Sequence, residues 1–277
     1  MNKPEKYAVI GYPLGYSLSP LLHNKFFIEE NIPAKYISLP VKKEELKNLV
    51  DSKEYTGFNV TVPHKENIIP YLHELTDIAR RIGAVNTVKK LGDFYMGTNT
   101  DAGGFLLMLE QENKPEMNNK NIIILGAGGA SKAISYSALE SNAQNIYIYD
   151  LDAAKTQALL DNYKTKKLKA LQTKKQLIEV LASADFVINA TPVGMESTIN
   201  ESVLCLDDLQ LLKKRTLVID IIYAPLKTKL LQMAESLGLQ TLNGLGMLAG
   251  QAILAERFWF NKSIAYLQAK QILQDGL

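Results

Sequence analysis

The sequence predicts an α/β protein built from two wound units, and three observations carry that prediction. Short apolar runs of strand type alternate with helical stretches along most of the chain. The run Asn121–Leu125 stops abruptly at Gly126-Ala127-Gly128-Gly129-Ala130 and gives way to a helical pattern, as a parallel strand covered on both faces does. A polar stretch without apolar periodicity, residues 111–120, lies between the two halves.

In the first half, Tyr7–Ile10 reads as a buried strand ending in the Gly11-Tyr12-Pro13 turn, and Pro20–Glu30 as a helix capped by Ser19. Residues 36–41 read as extended, 43–50 as helical and 57–62 as extended again. Residues 84–89 and 93–97 read as a strand pair around Leu91-Gly92, and 102–110 as a helix. Beyond the seam, the strand at 121–125 is followed by a helix over 131–142 and a strand over 145–149 that ends at Asp150. Further strands are expected at 186–189, 217–220 and 240–242, separated by helical stretches such as 153–163 and 225–237. Residues 246–274 are mostly helical, with Trp259 and Phe260 as bulky anchors for packing back on the first half.

With 277 residues, the chain is long enough for two domains and a full hydrophobic core. Its 47% hydrophobic and 22% charged residues exclude disordered, collagen-like and coiled-coil classes. Lys and Arg number 31 against 29 Asp and Glu, so charge gives no reason to expect a nucleic acid or a membrane surface as partner. A small molecule is the expected ligand. The single Cys205 cannot form an intrachain disulfide, and His23, His64 and His73 lack zinc-type spacing, so no metal site is expected and a reducing cytoplasm is the expected location. Residues 1–6 lack the apolar stretch of a signal peptide. No run of about 18 apolar residues is present to span a bilayer.

Gly126 and Gly128, between strand and helix, let the backbone turn sharply and leave no side chain between the first helical amides and a pyrophosphate. Glycines also serve such a turn for shape alone, so the pair by itself leaves both readings open. Asp150, at the end of the next strand, suits acceptance of hydrogen bonds from ribose hydroxyls, and equally suits capping of the helix that follows. A 2′-phosphate brings roughly −1.5 to −2 charges against that carboxylate. Each unit-charge pair at about 4 Å and an effective dielectric near 20 costs on the order of 4 kcal/mol before screening. Asp150, Leu151 and Asp152 therefore favour NAD, or dual use, over NADP alone, with Lys155 one turn later relieving part of the repulsion.

The first half carries a second constellation. Ser17 and Ser19 place two hydroxyls at a helix start, a geometry suited to a carboxylate, although Ser19 before Pro20 also suits plain capping. In Phe58-Asn59-Val60-Thr61-Val62-Pro63-His64-Lys65, strand alternation sends Asn59 and Thr61 to one side, and Pro63 stops the strand just before Lys65. Composition does not single out Lys65, since most lysines are solvated surface charges. His64 reads as packing or solvent-facing. Asn86-Thr87 and Thr98-Asn99-Thr100-Asp101 end further extended stretches, so amide, hydroxyl and carboxylate groups can meet Lys65 in one cleft. Asp101 reads equally as the cap of the helix after it.

The blocks GYPLGYSLSPLLHN (11–24), FNVTVPHKE (58–66), IGAVNT (82–87), GTNTDAGGF (97–105), LGAGGASKA (125–133), NATPVGM (189–195), DIIYAPLKTKLL (220–231) and NGLGMLAGQ (243–251) resemble, in order and spacing along almost the whole chain, the shikimate dehydrogenase family. The resemblance implies an N-terminal α/β substrate domain over 1–110 and a Rossmann-type, doubly wound parallel-sheet nucleotide domain over 118–240. It also implies C-terminal helices over 241–277 that pack back on the first domain. By likeness, Ser17 and Ser19 hold the substrate carboxylate, Asn59, Thr61, Asn86, Asp101 and Gln251 bind ring hydroxyls, and Tyr223 closes the site. Gly126, Ala127, Gly128, Gly129 and Ala130 cradle the pyrophosphate, while Ile221, Gly244 and Asp77 border the nicotinamide.

The implied reaction is the reversible, stereospecific NAD(P)H-dependent reduction of 3-dehydroshikimate to shikimate, toward chorismate and the aromatic amino acids. As the C3 oxygen gains charge it needs a proton, and Lys65 is the expected donor, with Asp101 orienting it and sharing the proton as a coupled pair. Two departures from the family pattern stand out. NADP-using relatives commonly carry an Asn-Arg-Thr type sequence where this chain has Asp150-Leu151-Asp152, so the phosphate-binding arginine is missing; and Ser131 stands where alanine is usual. The rival readings are a quinate/shikimate dehydrogenase preferring NAD and, in another class, a non-catalytic nucleotide or metabolite sensor on the same fold. Retention of Lys65 and Asp101 speaks against the sensor. A monomer or a homodimer is expected.

Overall fold

The computed structural model describes residues 4–277; residues 1–3, with which the predicted first domain and the N-terminal reading begin, lie outside the described residues. The chain forms two compact units, one of residues up to Leu107 together with Ala249–Leu277, the other Met108–Leu248. In chain order the first unit contains β1 (Glu5–Gly11), α1 (Ser19–Glu29), β2 (Ala34–Pro40), α2 (Leu46–Ser52), β3 (Gly57–Val60), α3 (His64–Asn67), β4 (Glu74–Leu75), α4 (Asp77–Ile82), β5 (Thr87–Leu91) and β6 (Phe94–Thr98). Then α5 (Asp101–Gln111) leads into the second unit. That unit holds β7 (Asn121–Leu125), α6 (Gly129–Glu140), β8 (Asn145–Tyr149), α7 (Ala153–Tyr163), β9 (Leu168–Leu171), α8 (Lys174–Leu181), β10 (Phe186–Asn189), α9 (Leu206–Gln210), β11 (Leu217–Asp220), α10 (Lys229–Ser236) and β12 (Gln240–Leu242). The chain closes with α11 (Leu245–Phe260) and α12 (Tyr266–Asp275). The division between units falls within α5 and α11, whereas the polar stretch at 111–120 is mostly the connection from α5 to β7.

The first unit is a mixed six-stranded sheet of order β2-β1-β3-β5-β6-β4. β1 runs parallel to β2 and β3, β5 antiparallel to β3 and β6, and β4 parallel to β6. Alternation along β1 sends Ala8 and Ile10 into a core shared with Val41, Leu46, Val50, Phe58 and Val60. On the other face, the end of α11 supplies the anchors: the Trp259 indole N–H donates to the Val88 carbonyl at 2.9 Å, and the Phe260 ring lies 5.4 Å from Tyr7 and 5.6 Å from Phe27. Gly57 is required there, because a Cβ would stand 2.7 Å from the Trp259 indole nitrogen and 2.8 Å from the Tyr7 ring.

The second unit is a wholly parallel sheet of order β12-β11-β10-β7-β8-β9. Its central strands are buried on both faces, which their uninterrupted apolar runs require. Ile123, Leu125, Val187 and Val218 face Leu177, Leu181, Leu209 and Leu230, and the intervening Ile122, Ile124 and Ile188 are equally buried. Strand order reverses between β7 and β10, so the carboxyl ends of these strands form the switch point at which such sheets bind ligands.

Several local expectations are corrected. Ser19 is not a cap: it is the first residue of α1, and its own N–H donates to the Ser17 Oγ at 3.3 Å. Residues 61 and 62 leave the strand, because the Thr61 carbonyl accepts the His64 N–H at 2.9 Å and turns the chain into α3. α10 starts only at Lys229, after Thr228, whose side chain accepts the Leu231 N–H. α3, β4, α4, β9, α8 and α9 are elements that the sequence pattern does not predict. Asp150 does not cap α7; Asp152 does, accepting from the N–H groups of Ala154 and Lys155.

Ser131 and Ser135, one turn apart on α6, are fully buried, and their hydroxyls have no hydrogen-bond partner among the described residues. A buried hydroxyl without a partner carries an uncompensated desolvation cost. Ser131→Ala is expected to raise stability by about 1 kcal/mol, read as a higher urea midpoint at unchanged slope. A lower midpoint would show that the hydroxyl has a partner in solution.

Candidate active site

In the first unit the polar groups gather at the carboxyl ends of β1 and β3 and around the β5–β6 pair. β3 delivers Asn59, and the turn after it, fixed by the Thr61 carbonyl, starts α3 and sets Lys65 in place. The Lys65 carbonyl also accepts the Val85 N–H at 2.7 Å, which ties this turn to the segment carrying Asn86. The Lys65 ammonium lies 2.5 Å from Asp101 Oδ2, with side-chain exposures of only 15% and 6%. A partly buried ion pair exceeds a surface salt bridge in consequence, because removing Lys65 leaves a buried Asp101 carboxylate without its cation.

Asp101 is available for this contact because another residue takes its capping role. Asn99 Oδ1 accepts from the N–H groups of Asp101 at 3.0 Å and Ala102 at 3.3 Å, so the Asp101 carboxylate is not spent on the helix start. Its second oxygen accepts from Asn86 Nδ2 at 2.8 Å. Asn86, itself buried, also donates to Thr100 Oγ1 at 2.9 Å and accepts the Thr100 N–H at 2.7 Å, while Gln251 Oε1 stands 3.5 Å from the same amide nitrogen. Gln251 reaches this position because α5 and α11 cross closely: a Cβ on Gly104 would be 2.5 Å from the Gln251 nitrogen.

Asn59 is locked in the same way. Its amide donates to the Asn86 carbonyl at 3.2 Å and to Thr87 Oγ1 at 3.0 Å, and its oxygen accepts the Tyr36 hydroxyl at 2.5 Å. Burial, with Glu256 as a lesser cause, holds the Tyr36 phenol well above its ordinary range, so it remains a donor. Both Asn59 amide hydrogens are thus committed, and one lone pair of its oxygen is left for a ligand. The sequence marks Tyr36 only as part of an extended stretch; the signal for its role is that a tyrosine on the buried face of a strand needs a partner for its hydroxyl.

Thr61 packs beside Gly11, where a Cβ would be 2.6 Å from its methyl, on the turn next to the segment that carries Ser17 and Ser19. Ser17 is half-buried and Ser19 buried at the start of α1. Asp77, the first residue of α4, is exposed and accepts from Arg80 at 2.7 Å.

In the second unit, Gly126 ends β7 with φ +105°, and a Cβ there would meet the Ala190 carbonyl at 2.9 Å. Gly128, at the N-cap of α6, has open space where its Cβ would be, so the first amides of α6, beginning with Gly129 and Ala130, are not covered by a side chain at that point. This uncovered helix start fits a dinucleotide pyrophosphate. Asp150 is drawn into the same turn: its carboxylate accepts the Ala127 N–H and the Asp152 N–H, each at 2.8 Å. Leu151 is almost fully exposed, and the Lys155 ammonium is 3.8 Å from Asp152.

At the ends of β10 and β11, buried Asp220 joins Asn189 and Thr228, and Gly244 lies so close to the Ile221 backbone that no Cβ fits. Burial pushes the Asp220 carboxyl above the usual carboxylate range. Tyr223, half-buried, lies in the loop that leaves β11. Asp220 and Asn189 lie within the family-like blocks, and the sequence signal for Asp220 is an acid directly after the apolar run Leu217–Ile219.

Among the described residues, no helix is long and apolar enough to cross a membrane. Residues 9–88 match the family model of the shikimate dehydrogenase substrate binding domain, and residues 108–225 that of shikimate / quinate 5-dehydrogenase. The chain is 38% identical over 275 residues to shikimate dehydrogenase (NADP(+)) of Alkaliphilus metalliredigens, covering 96% of this chain and 95% of that one. Its fold is similar to shikimate 5-dehydrogenase of Thermus thermophilus in complex with NADP(H) and shikimate, with a TM-score of 0.87 and 29% identity over 99% of this chain and 100% of the other. It is similar as well to shikimate 5-dehydrogenase of Listeria monocytogenes in complex with shikimate and NAD, with a TM-score of 0.86 and 32% identity over 99% and 97% of the two chains. On matches that run through both units, the chain belongs to the shikimate dehydrogenase family of oxidoreductases.

Proposed function

We propose that this protein catalyses the reversible reduction of 3-dehydroshikimate to shikimate in the cytoplasm, as a monomer or homodimer, with Lys65 and Asp101 handling the proton. The observation that carries this reading is the 2.5 Å Lys65–Asp101 contact, shielded from water and oriented from behind by Asn86. In the reducing direction the Lys65 ammonium donates to the substrate oxygen as negative charge grows on it, and the Asp101 carboxylate keeps the ammonium aimed. In the oxidising direction the same pair receives the hydroxyl proton. Ser17 and Ser19 hold the substrate carboxylate, and Thr61, Gln251 and the remaining Asn59 lone pair meet ring hydroxyls. Asn86, whose own amide has protein partners, acts chiefly by setting Asp101.

When bound, the dinucleotide supplies or accepts hydride at C3 of the substrate. Residues 126–130 hold its pyrophosphate, Asp150 its adenosine ribose, and Ile221 and Gly244 its nicotinamide half, while Tyr223 closes the substrate site. Asp77 has its carboxylate turned to Arg80 in this structure and is the weakest member of that set. Because Asp150 holds a carboxylate where the NADP-using pattern places an arginine-containing loop, the protein uses NAD alongside NADP. Neither the sensor reading nor a primary quinate activity is needed to account for these residues.

Shikimate, and quinate as a control, offered with NAD and NADP side by side, tests the proposal. Shikimate-dependent nucleotide reduction, with quinate much slower, is the expected result. Absence of any shikimate-dependent change with both nucleotides would overturn it.

A further inference from the structure

We infer that Asp220 is a positioning residue for the nicotinamide half of the dinucleotide, acting through the loops that leave β10 and β11. The inference rests on the reading that the second unit binds a dinucleotide. Asp220 is the last residue of β11 and is fully buried. Oδ1 accepts the Ile222 N–H and Asn189 Nδ2, each at 3.1 Å, and Oδ2 accepts the Thr228 hydroxyl at 2.7 Å. Among the described residues no lysine or arginine pairs with it, so uncharged donors alone satisfy the carboxylate.

Each donor belongs to a different turn. Asn189, the last residue of β10, uses its own oxygen to accept the Thr191 N–H at 3.1 Å and the Thr191 hydroxyl at 2.7 Å, and its amide also donates to the Val193 carbonyl at 3.1 Å. Asp220 thereby fixes the 189–193 turn through one side chain. Ile222 carries the second: its carbonyl accepts the Gly244 N–H at 3.0 Å, and Gly244 packs directly on Ile221, so the course of residues 221–223 and the approach to α11 are set from the same carboxylate. Thr228 carries the third, the start of α10. One buried carboxylate therefore sets the turns at the carboxyl ends of β10 and β11, two of the three strands on one side of the switch point.

On the other side of that point, Gly126, Gly128 and Asp150 mark β7 and β8 as the pyrophosphate and adenosine half. In a doubly wound sheet the second half of the dinucleotide then belongs to β10 and β11. A carboxylate that serves only this half has a signature that general structural support lacks. Its loss weakens binding of the whole dinucleotide and spares a ligand that ends before the nicotinamide.

Calorimetric titration of the intact protein with four ligands reads this out: NAD with ADP-ribose, and NADP with 2′-phospho-ADP-ribose. For Asp220→Asn, dinucleotide affinity is expected to fall about tenfold, the scale of one lost hydrogen bond to a charged group, with each truncated ligand unchanged within about twofold. Thr228→Val removes one donor and should show the same pattern more weakly, while Thr228→Ser restores it. If Asp220→Asn does not fold, the Thr228 pair decides: loss confined to the dinucleotides in the valine variant supports the inference, and wild-type behaviour overturns it. Equal losses for dinucleotide and truncated ligand, or none for either, also overturn it. A wild-type protein that binds none of the four ligands overturns the dinucleotide reading itself, an outcome distinct from wild-type binding with unaffected variants.

Discussion

Replacing Lys65 with alanine is expected to lower kcat for shikimate oxidation by about a thousandfold, while KM for shikimate changes by no more than about threefold. The split follows from where the ammonium acts. A group that meets the substrate oxygen chiefly as charge develops contributes to the transition state and little to ground-state binding. In the proposed site the carboxylate and ring hydroxyls are assigned to other residues, so the substrate is expected to bind still. Lys65→Ala also leaves the Asp101 carboxylate, buried with 6% of its side chain exposed, without its cation. That carries a stability cost of its own. Asp101→Asn and the double variant separate the two effects: Asp101→Asn should also lose turnover, and the double variant should be no slower than Lys65→Ala alone while recovering part of the lost stability. Near-normal kcat in Lys65→Ala removes the lysine from the mechanism.

The residues of this pair were legible in the sequence only as a coincidence of chain positions. Pro63 ending a strand just before Lys65, and Thr100-Asp101 ending another, predict polar groups at strand ends, but lysine and aspartate are common surface residues. Only the family resemblance singled them out. The structure adds a reason that spacing alone does not hold: Asn99 takes over the capping that Asp101 was equally suited to perform, and this releases the carboxylate for Lys65. The family resemblance has Asn86 binding ring hydroxyls, and the structure adds that its amide has protein partners in Thr100 and Asp101. Such commitments depend on contacts between strands far apart in sequence, which no local pattern reports.

The same distinction runs through the fold. Strands β10 and β11 are buried throughout and β7 in all but its first residue, so they carry apolar runs whose positions can be read directly. The edge strand β9 has just its first and last residues buried, and the short β4 has none, so neither carries a sufficient periodic signal. α1 illustrates a failure of a different kind. The Ser19-Pro20 pair looks like a capped helix start, but the helix begins one residue earlier and the neighbouring Ser17 accepts the Ser19 N–H instead.

Asp150→Asn is expected to raise the ratio of kcat/KM with NADP to that with NAD by about a hundredfold, the second large effect. The carboxylate is held in place by the Ala127 and Asp152 N–H groups, so it cannot swing away from an incoming 2′-phosphate. A phosphate of roughly −1.5 to −2 charge at about 4 Å from it is opposed by on the order of 4 kcal/mol per unit-charge pair at an effective dielectric near 20. Screening by salt and the two N–H donors reduce this, which brings the net effect nearer to the 2.8 kcal/mol, approximately, that a hundredfold ratio represents. The Lys155 ammonium gives limited relief, since it is largely exposed and already 3.8 Å from Asp152. Asparagine keeps an acceptor for one N–H and removes the charge, so the NADP gain should come with a smaller loss toward NAD, whose ribose hydroxyls still find a hydrogen-bonding partner. Because the opposition is coulombic, the wild-type ratio should also rise with ionic strength while that of Asp150→Asn changes much less. Equal ratios for the two proteins at low salt would show that the Asp150 charge does not reach the 2′ position, and cofactor choice would then lie elsewhere in the second unit.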